Sequence, residues 1–146
     1  MYIQQLSLFV ENKSGGLVAP CRVLAERGIN VVTLSLADTR NYGILRLIVE
    51  DWQAAKQALV EADFVVNTTE VLAVEVADRP GGLLELLRTI DASHTGIEYM
   101  YAFPSSADGR AVMVFRFEDT ERAAAALRAA GVSPMAPLEL FRRVGR

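Results

Sequence analysis

Asn12-Lys13-Ser14-Gly15-Gly16-Leu17 and Asp78-Arg79-Pro80-Gly81-Gly82-Leu83 are the two stretches that decide the fold. The second Gly-Gly-Leu stands 66 residues after the first, and Leu6/Leu72, Val10/Val76 and Arg22/Arg88 keep that spacing. Farther along the spacing becomes 68, matching Glu50-Asp51 with Glu118-Asp119, Ala55 with Ala123, Ala58 with Ala126 and Leu59 with Leu127. The two additional residues fit the turn that holds Asp38 to Tyr42 in one copy and Pro104 to Arg110 in the other, where insertion disturbs least. A repeat of this period sets the architecture before any single element is assigned. It divides the chain into modules 1–69 and 70–146.

Each copy reads in the same order. Leu6, Leu8 and Val10 alternate with other residues as a half-buried strand requires, and Leu72, Val74 and Val76 repeat the pattern. After the glycines, Leu17, Cys21 and Leu24 recur at helical spacing, as do Leu83, Leu87 and Ile90, and Gly28 stands where a helix C-terminus would end. Val31 to Leu36 and Ile44 to Val49, mirrored by Ile97 to Phe103 and Ala111 to Phe117, read as hairpins around Asn41-Tyr42-Gly43 and Ala107-Asp108-Gly109. Asp51 and Asp119 are N-caps for Ala-rich second helices. Phe64 to Thr68 is expected as a fourth strand. In the second copy Pro134 and Pro137 leave room only for a short one, followed by a tail in which Leu138 and Phe141 could face inward on a helical turn. The pattern is α+β: a ferredoxin-like βαββαβ unit repeated twice, with antiparallel sheets and helices on one face.

Composition narrows the function. The 146 residues are 51% hydrophobic and 23% charged, enough to bury a core, with a formal net charge of -3. Lys and Arg are scattered, which argues against a nucleic-acid partner. Met1 to Glu11 lacks the basic start of a leader, and no apolar run reaches the roughly 20 residues of a spanning helix, so a cytoplasmic protein without membrane contact is expected. One histidine, His94, and one cysteine, Cys21, make a poor catalytic inventory. His94 reads as a surface residue near a helix end and Cys21 as a small core residue, and no metal or cofactor is implied.

The glycine corners are more informative. Paired glycines at a helix N-terminus let a ligand approach exposed amide donors, which favours an anion. Neither a Walker pattern nor a G-x-G-x-x-G run is present, so a small carboxylate fits better than a phosphate. The same glycines also suit a corner that simply reverses direction without strain.

Asn12 to Leu17 followed by Gly28-Ile29-Asn30 resembles the first turn and the approach to the second strand of ACT regulatory domains, as does Asp78 to Leu83. Ala37-Asp38-Thr39, Tyr42 to Arg46 and Ile97 to Phe103 are similar to segments of small stand-alone tandem-ACT proteins, and the likeness spans nearly the whole chain. The resemblance implies a non-catalytic, allosteric regulatory protein that binds a free amino acid where two modules pair side by side. The contacts it implies in the first copy are Asn12, Lys13, Ser14, Gly15, Gly16, Leu17, Asn30, Val31 and Asp38. Those in the second are Asp78, Arg79, Pro80, Gly81, Gly82, Leu83, Gly96, Ile97, Tyr99 and Tyr101. Asp38 reads equally as a ligand acceptor or a hairpin cap, and the two tyrosines as ligand walls or a partner contact. His94-Thr95-Gly96 replaces Gly-Ile-Asn in the second copy, so the better pocket is expected around the first corner. A homodimer is expected, with a regulated enzyme or transporter acting in trans. The alternative is a regulatory subunit resembling the small subunit of acetohydroxyacid synthase; an enzyme on the same scaffold and a purely structural dimerisation module are more distant readings.

Overall fold

The computed structural model describes residues 2–38 and 41–144, the side chains of Ser105 and Ser106 excepted. The chain forms two compact units, Gln4–Thr69 and a second that takes Glu70 onward together with the first residues through Ile3.

In the Gln4–Thr69 unit, β1 (Ile3–Glu11) is followed by α1 (Val18–Glu26), β2 (Thr33–Asp38), β3 (Tyr42–Ile48) and α2 (Trp52–Glu61). The strands run antiparallel in the order β2-β3-β1, with Leu8 opposite Leu45 and Leu45 opposite Leu36. Leu6, Leu8 and Val10 share a core with Leu45, Leu47, Leu24, Ala55 and Leu59, so both helices cover one face of the sheet. Asp51 caps α2 as expected, accepting from the Ala54 amide at 3.0 Å. Gly28 ends α1, with Ile29 N donating to Leu24 O at 2.9 Å.

Three local expectations need correction here. Tyr42 and Gly43 belong to β3 and not to the hairpin turn; residues 39 and 40 lie outside the described residues. Gly43 is needed inside the strand, because a Cβ there would lie 2.8 Å from Leu36 Cδ1 and 3.1 Å from Val10 Cγ2. The buried row of α1 is Pro20 and Leu24, whereas Leu17 and Cys21 are exposed. Finally, the strand expected over Phe64 to Thr68 and the first strand of the second copy are one element, β4 (Val66–Ala77).

The second unit carries α3 (Gly82–Asp91), β5 (Ile97–Ala107), β6 (Arg110–Phe117) and α4 (Thr120–Ala129) with the strand order β4-β6-β5. Leu72, Val74, Val76, Leu86, Ile90, Phe115, Phe117 and Leu127 form its core, and Phe115 stacks on Phe117 with ring centroids 5.6 Å apart. Tyr2 packs against this core and its hydroxyl donates to Glu121 Oε1, which fastens the start of the chain here. Asp119 caps α4 through Arg122 N at 3.0 Å.

Residues 132–136 form no strand. Their link to β4 is one hydrogen bond from Met135 N to Ala73 O, 2.8 Å, after which Pro137 opens α5 (Pro137–Val144). Leu140 is the buried residue of α5, while Leu138 is 66% exposed and Phe141 half-buried, contrary to the inward Leu138 expected. Arg143 sets this orientation: its guanidinium donates to Glu75 Oε1 (3.1 Å), Ala107 O (2.9 Å) and Arg110 O (3.2 Å). Glu75 alternates with the core residues Val74 and Val76, so α5 crosses the face of this sheet opposite α3 and α4.

The helix ends show how the copies diverged. Gly28 and Gly131 hold the left-handed turn after α1 and α4, at φ +65° and +80°, but the matching positions after α3 and α2 are His94 (φ +55°) and Asp63 (φ +69°). A side chain in that region is strained. Replacing His94 or Asp63 by Gly should therefore stabilise the protein by up to about 1 kcal/mol each. Urea denaturation checks this, the expected sign being a higher midpoint at unchanged slope.

Candidate functional site

The repeated corners are built in one way. Gly15 and Gly81 adopt φ +85° and +84°, and the following glycine folds back on the strand just left. A Cβ on Gly16 would lie 2.2 Å from Glu11 O, and one on Gly82 would lie 1.9 Å from Ala77 O. The corner is then closed by Gly16 N donating to Lys13 O (3.1 Å) and Gly82 N to Arg79 O (3.0 Å). Both glycines of each pair are thus demanded by backbone geometry.

Neither α1 nor α3 has a side-chain cap, whereas α2 and α4 are capped by Asp51 and Asp119. The first-turn amides that remain after Val18 N donates to Gly15 O and Gly82 N to Arg79 O have no side-chain acceptor, a setting that attracts anions, although Pro20 contributes no N–H in α1. At the first corner Asn12 Nδ2 donates to Asp38 Oδ1 at 3.1 Å, so these two candidates meet although they are 26 residues apart. Lys13 pairs with Glu11, and Ser14 and Leu17 are exposed beside them. At the second corner Asp78 N donates to Gly109 O, and Arg79 makes a two-pronged bond to Glu85 at 2.8 and 3.0 Å; Pro80 accepts from Arg79, and Leu83 lies exposed.

The approaches to the second strands lie elsewhere. Strand β2 ends at Asp38, beside the first corner, so Asn30 and Val31 stand beyond its other end. Six strand residues separate Asn12 from Asn30, roughly 20 Å at ~3.3 Å per residue. One unit therefore cannot offer both to one small ligand. In the second unit, Gly96 is bound to the β6–α4 corner, donating to Glu118 Oε2 (3.3 Å) and accepting from Glu118 N (3.0 Å). A Cβ on Gly96 would sit 2.8 Å from the Glu118 carboxyl carbon, so a side chain there would displace the exposed Glu118 carboxylate from the Gly96 amide. Gly96 and Ile97 border a cavity of about 400 Å³ between α3 and the start of β5. Sequence reasoning missed the α3 side of that cavity, because Leu87 read only as a member of a core stripe and Leu84 was given no role.

Tyr99 and Tyr101 stand opposite Arg116 and Val114 on β6 and so share the sheet face turned away from α3 and α4. They do not border the cavity. Among the described residues, no group of three or more His, Cys, Asp or Glu is placed to hold a metal ion, and no helix is long and apolar enough to cross a membrane.

Two ferredoxin-like modules joined in one chain, each with a glycine corner opening an uncapped helix, define the class. The chain belongs to the ACT family: the model of the ACT domain pair matches residues 1–137. It is similar to protein BT0572 from Bacteroides thetaiotaomicron, with 36% identity, 97% of each chain covered and a TM-score of 0.89. The fold is also that of the ligand-free regulatory subunit of aspartate kinase from Thermus thermophilus (21% identity, 90% of this chain and 92% of that chain, TM-score 0.65). No curated protein matches the chain.

The corner geometry yields a prediction. Gly16→Ala and Gly82→Ala should each destabilise by about 1–3 kcal/mol, since the strand carbonyl must move to admit a methyl group. Gly28→Ala, where a Cβ meets nothing within 4 Å, should cost only the backbone strain of about 1 kcal/mol. Thermal melts of the three variants give the ranking.

Proposed function

We propose that this chain is a non-catalytic, allosteric regulatory protein that binds a free amino acid at a junction of paired ACT modules, acting as a cytoplasmic homodimer. The observation that carries this reading is the contrast in capping: the two helices that open at glycine corners have no side-chain cap, and the other two are capped by aspartates. A zwitterion needs donors for its carboxylate and acceptors for its ammonium in one small cleft. Gly16 N is spent on Lys13 O, so donation from the first corner falls to Gly15 and Leu17, with Asn12 and Asp38 beside them. The distance between Asn12 and Asn30 in one unit supports a ligand shared by a corner from one module and a strand approach from another. Membership of the ACT family, and a fold shared with chains named as regulatory subunits of aspartate kinase, support a role exerted on a separate enzyme or transporter.

A thermal-shift screen of the full chain against the common amino acids tests the reading. At a hundredfold excess over Kd, the bound ligand should raise Tm by roughly 5–10 °C. Asn12→Ala should weaken that ligand roughly three- to tenfold. No shift with any amino acid would defeat the proposal, and turnover of the added amino acid would make the chain an enzyme. Light scattering should give twice the 16.0 kDa of one chain; a monomer at micromolar concentration would remove the dimer.

A further inference from the structure

The cavity beside Gly96 has a composition that the glycine corners do not explain. Leu84, Leu87, Arg88 and Asp91 succeed one another along α3 at i, i+3, i+4 and i+7, so one stripe of the helix faces it. Its apolar wall is completed by Ile90, which is fully buried, and by Ile97, which packs against the core with Leu87. At its rim stand two exposed side chains of opposite charge, Arg88 and Asp91, one helical turn or about 5 Å apart. Arg79, Arg116 and Arg143 are tied to Glu85, Glu98 and Glu75, whereas no ion pair of 4 Å or less joins Arg88 to Asp91.

We infer that this cavity seats an amino acid with an aliphatic side chain, its carboxylate on Arg88, its ammonium on Asp91 and its side chain against Leu84, Leu87, Ile90 and Ile97. The inference rests on reading the chain as an amino-acid binder and adds a seat apart from the first corner, with its own ligand class. A volume of about 400 Å³ is at the small end of ligand pockets, which suits one amino acid and not a dinucleotide or a peptide. A charged or amide side chain would lose its hydration against four aliphatic residues. The register of the repeat makes the seat single. At the positions matching Arg88, Leu87 and Asp91 the first copy has Arg22, Cys21 and Ala25, so the carboxylate partner is kept there but the ammonium partner is missing. This seat therefore occurs once per chain and is separate from the first glycine corner.

Calorimetry on the full chain with L-leucine as probe tests this, using Arg88→Gln, Asp91→Asn and, as control in the other copy, Arg22→Gln. All three side chains are exposed, so the variants should fold. The expected result is one L-leucine per chain, weakened about ten- to a hundredfold by Arg88→Gln and by Asp91→Asn and unchanged by Arg22→Gln. The probes 4-methylpentanoate and 3-methylbutylamine, each lacking one charge, should bind as weakly as leucine binds the variants, and L-glutamate should not compete. If L-leucine or another amino acid binds with undiminished affinity in both variants, the seat is wrong while the proposed function stands. Equal binding of 4-methylpentanoate to the native protein would overturn the zwitterion assignment. No binding of any amino acid would overturn the seat and the proposed function together.

Discussion

The fold depends on one close approach, that of the second glycine in each corner to the last carbonyl of the strand before it. With a Cβ excluded at Gly16 and Gly82, the helix begins hard against the sheet, and its later residues in the same row are forced inward. That row is Gly16, Pro20 and Leu24 in one unit and Gly82, Leu86 and Ile90 in the other, at i, i+4 and i+8. The neighbouring row is forced outward. Leu17 and Val18 in one unit, and Leu83 and Leu84 in the other, are exposed apolar residues for that reason. The flank they leave is what gives the second unit an apolar wall beside Gly96.

This constraint also explains what could be read from the sequence and what could not. Strands, helices and hairpins were legible because alternation and helical spacing report burial on each element separately, and Asp51 and Asp119 announced their helices through local capping alone. The phase of α1 was misread by one row, since spacing permits either Leu17-Cys21-Leu24 or Pro20-Leu24 and only the carbonyl contact at Gly16 chooses. The tail was misread for a related reason. Six residues with apolar members on two sides carry no phase, and Arg143, by reaching Glu75 and two strand carbonyls, decides that Leu140 faces the sheet. At the candidate site the corner residues were visible as a repeated motif. Arg88 and Asp91 were not, because their significance arises only when α3 is laid beside the start of β5.

The two copies share a frame and differ in chemistry. Left-handed helix ends are filled by Gly28 and Gly131 but by His94 and Asp63 at the matching places. The first corner pairs Asn12 with Asp38, while at the second Arg79 is committed to Glu85. Asn30 stands where the other copy has Gly96, whose amide donates to the Glu118 carboxylate. The glycine pairs at the corners are kept in both copies, while the helix ends and the residues around the corners differ.

Methyl NMR of the full chain labelled at Leu and Ile, titrated with L-leucine, addresses the central claim most directly, because it reports where an amino acid sits. The account predicts saturable shifts concentrated at Leu84, Leu87, Ile90 and Ile97, with Leu6, Leu8 and Leu59 in the other core unmoved. Spectra that remain unchanged at millimolar L-leucine, or shifts confined to residues away from α3 and the start of β5, would contradict it.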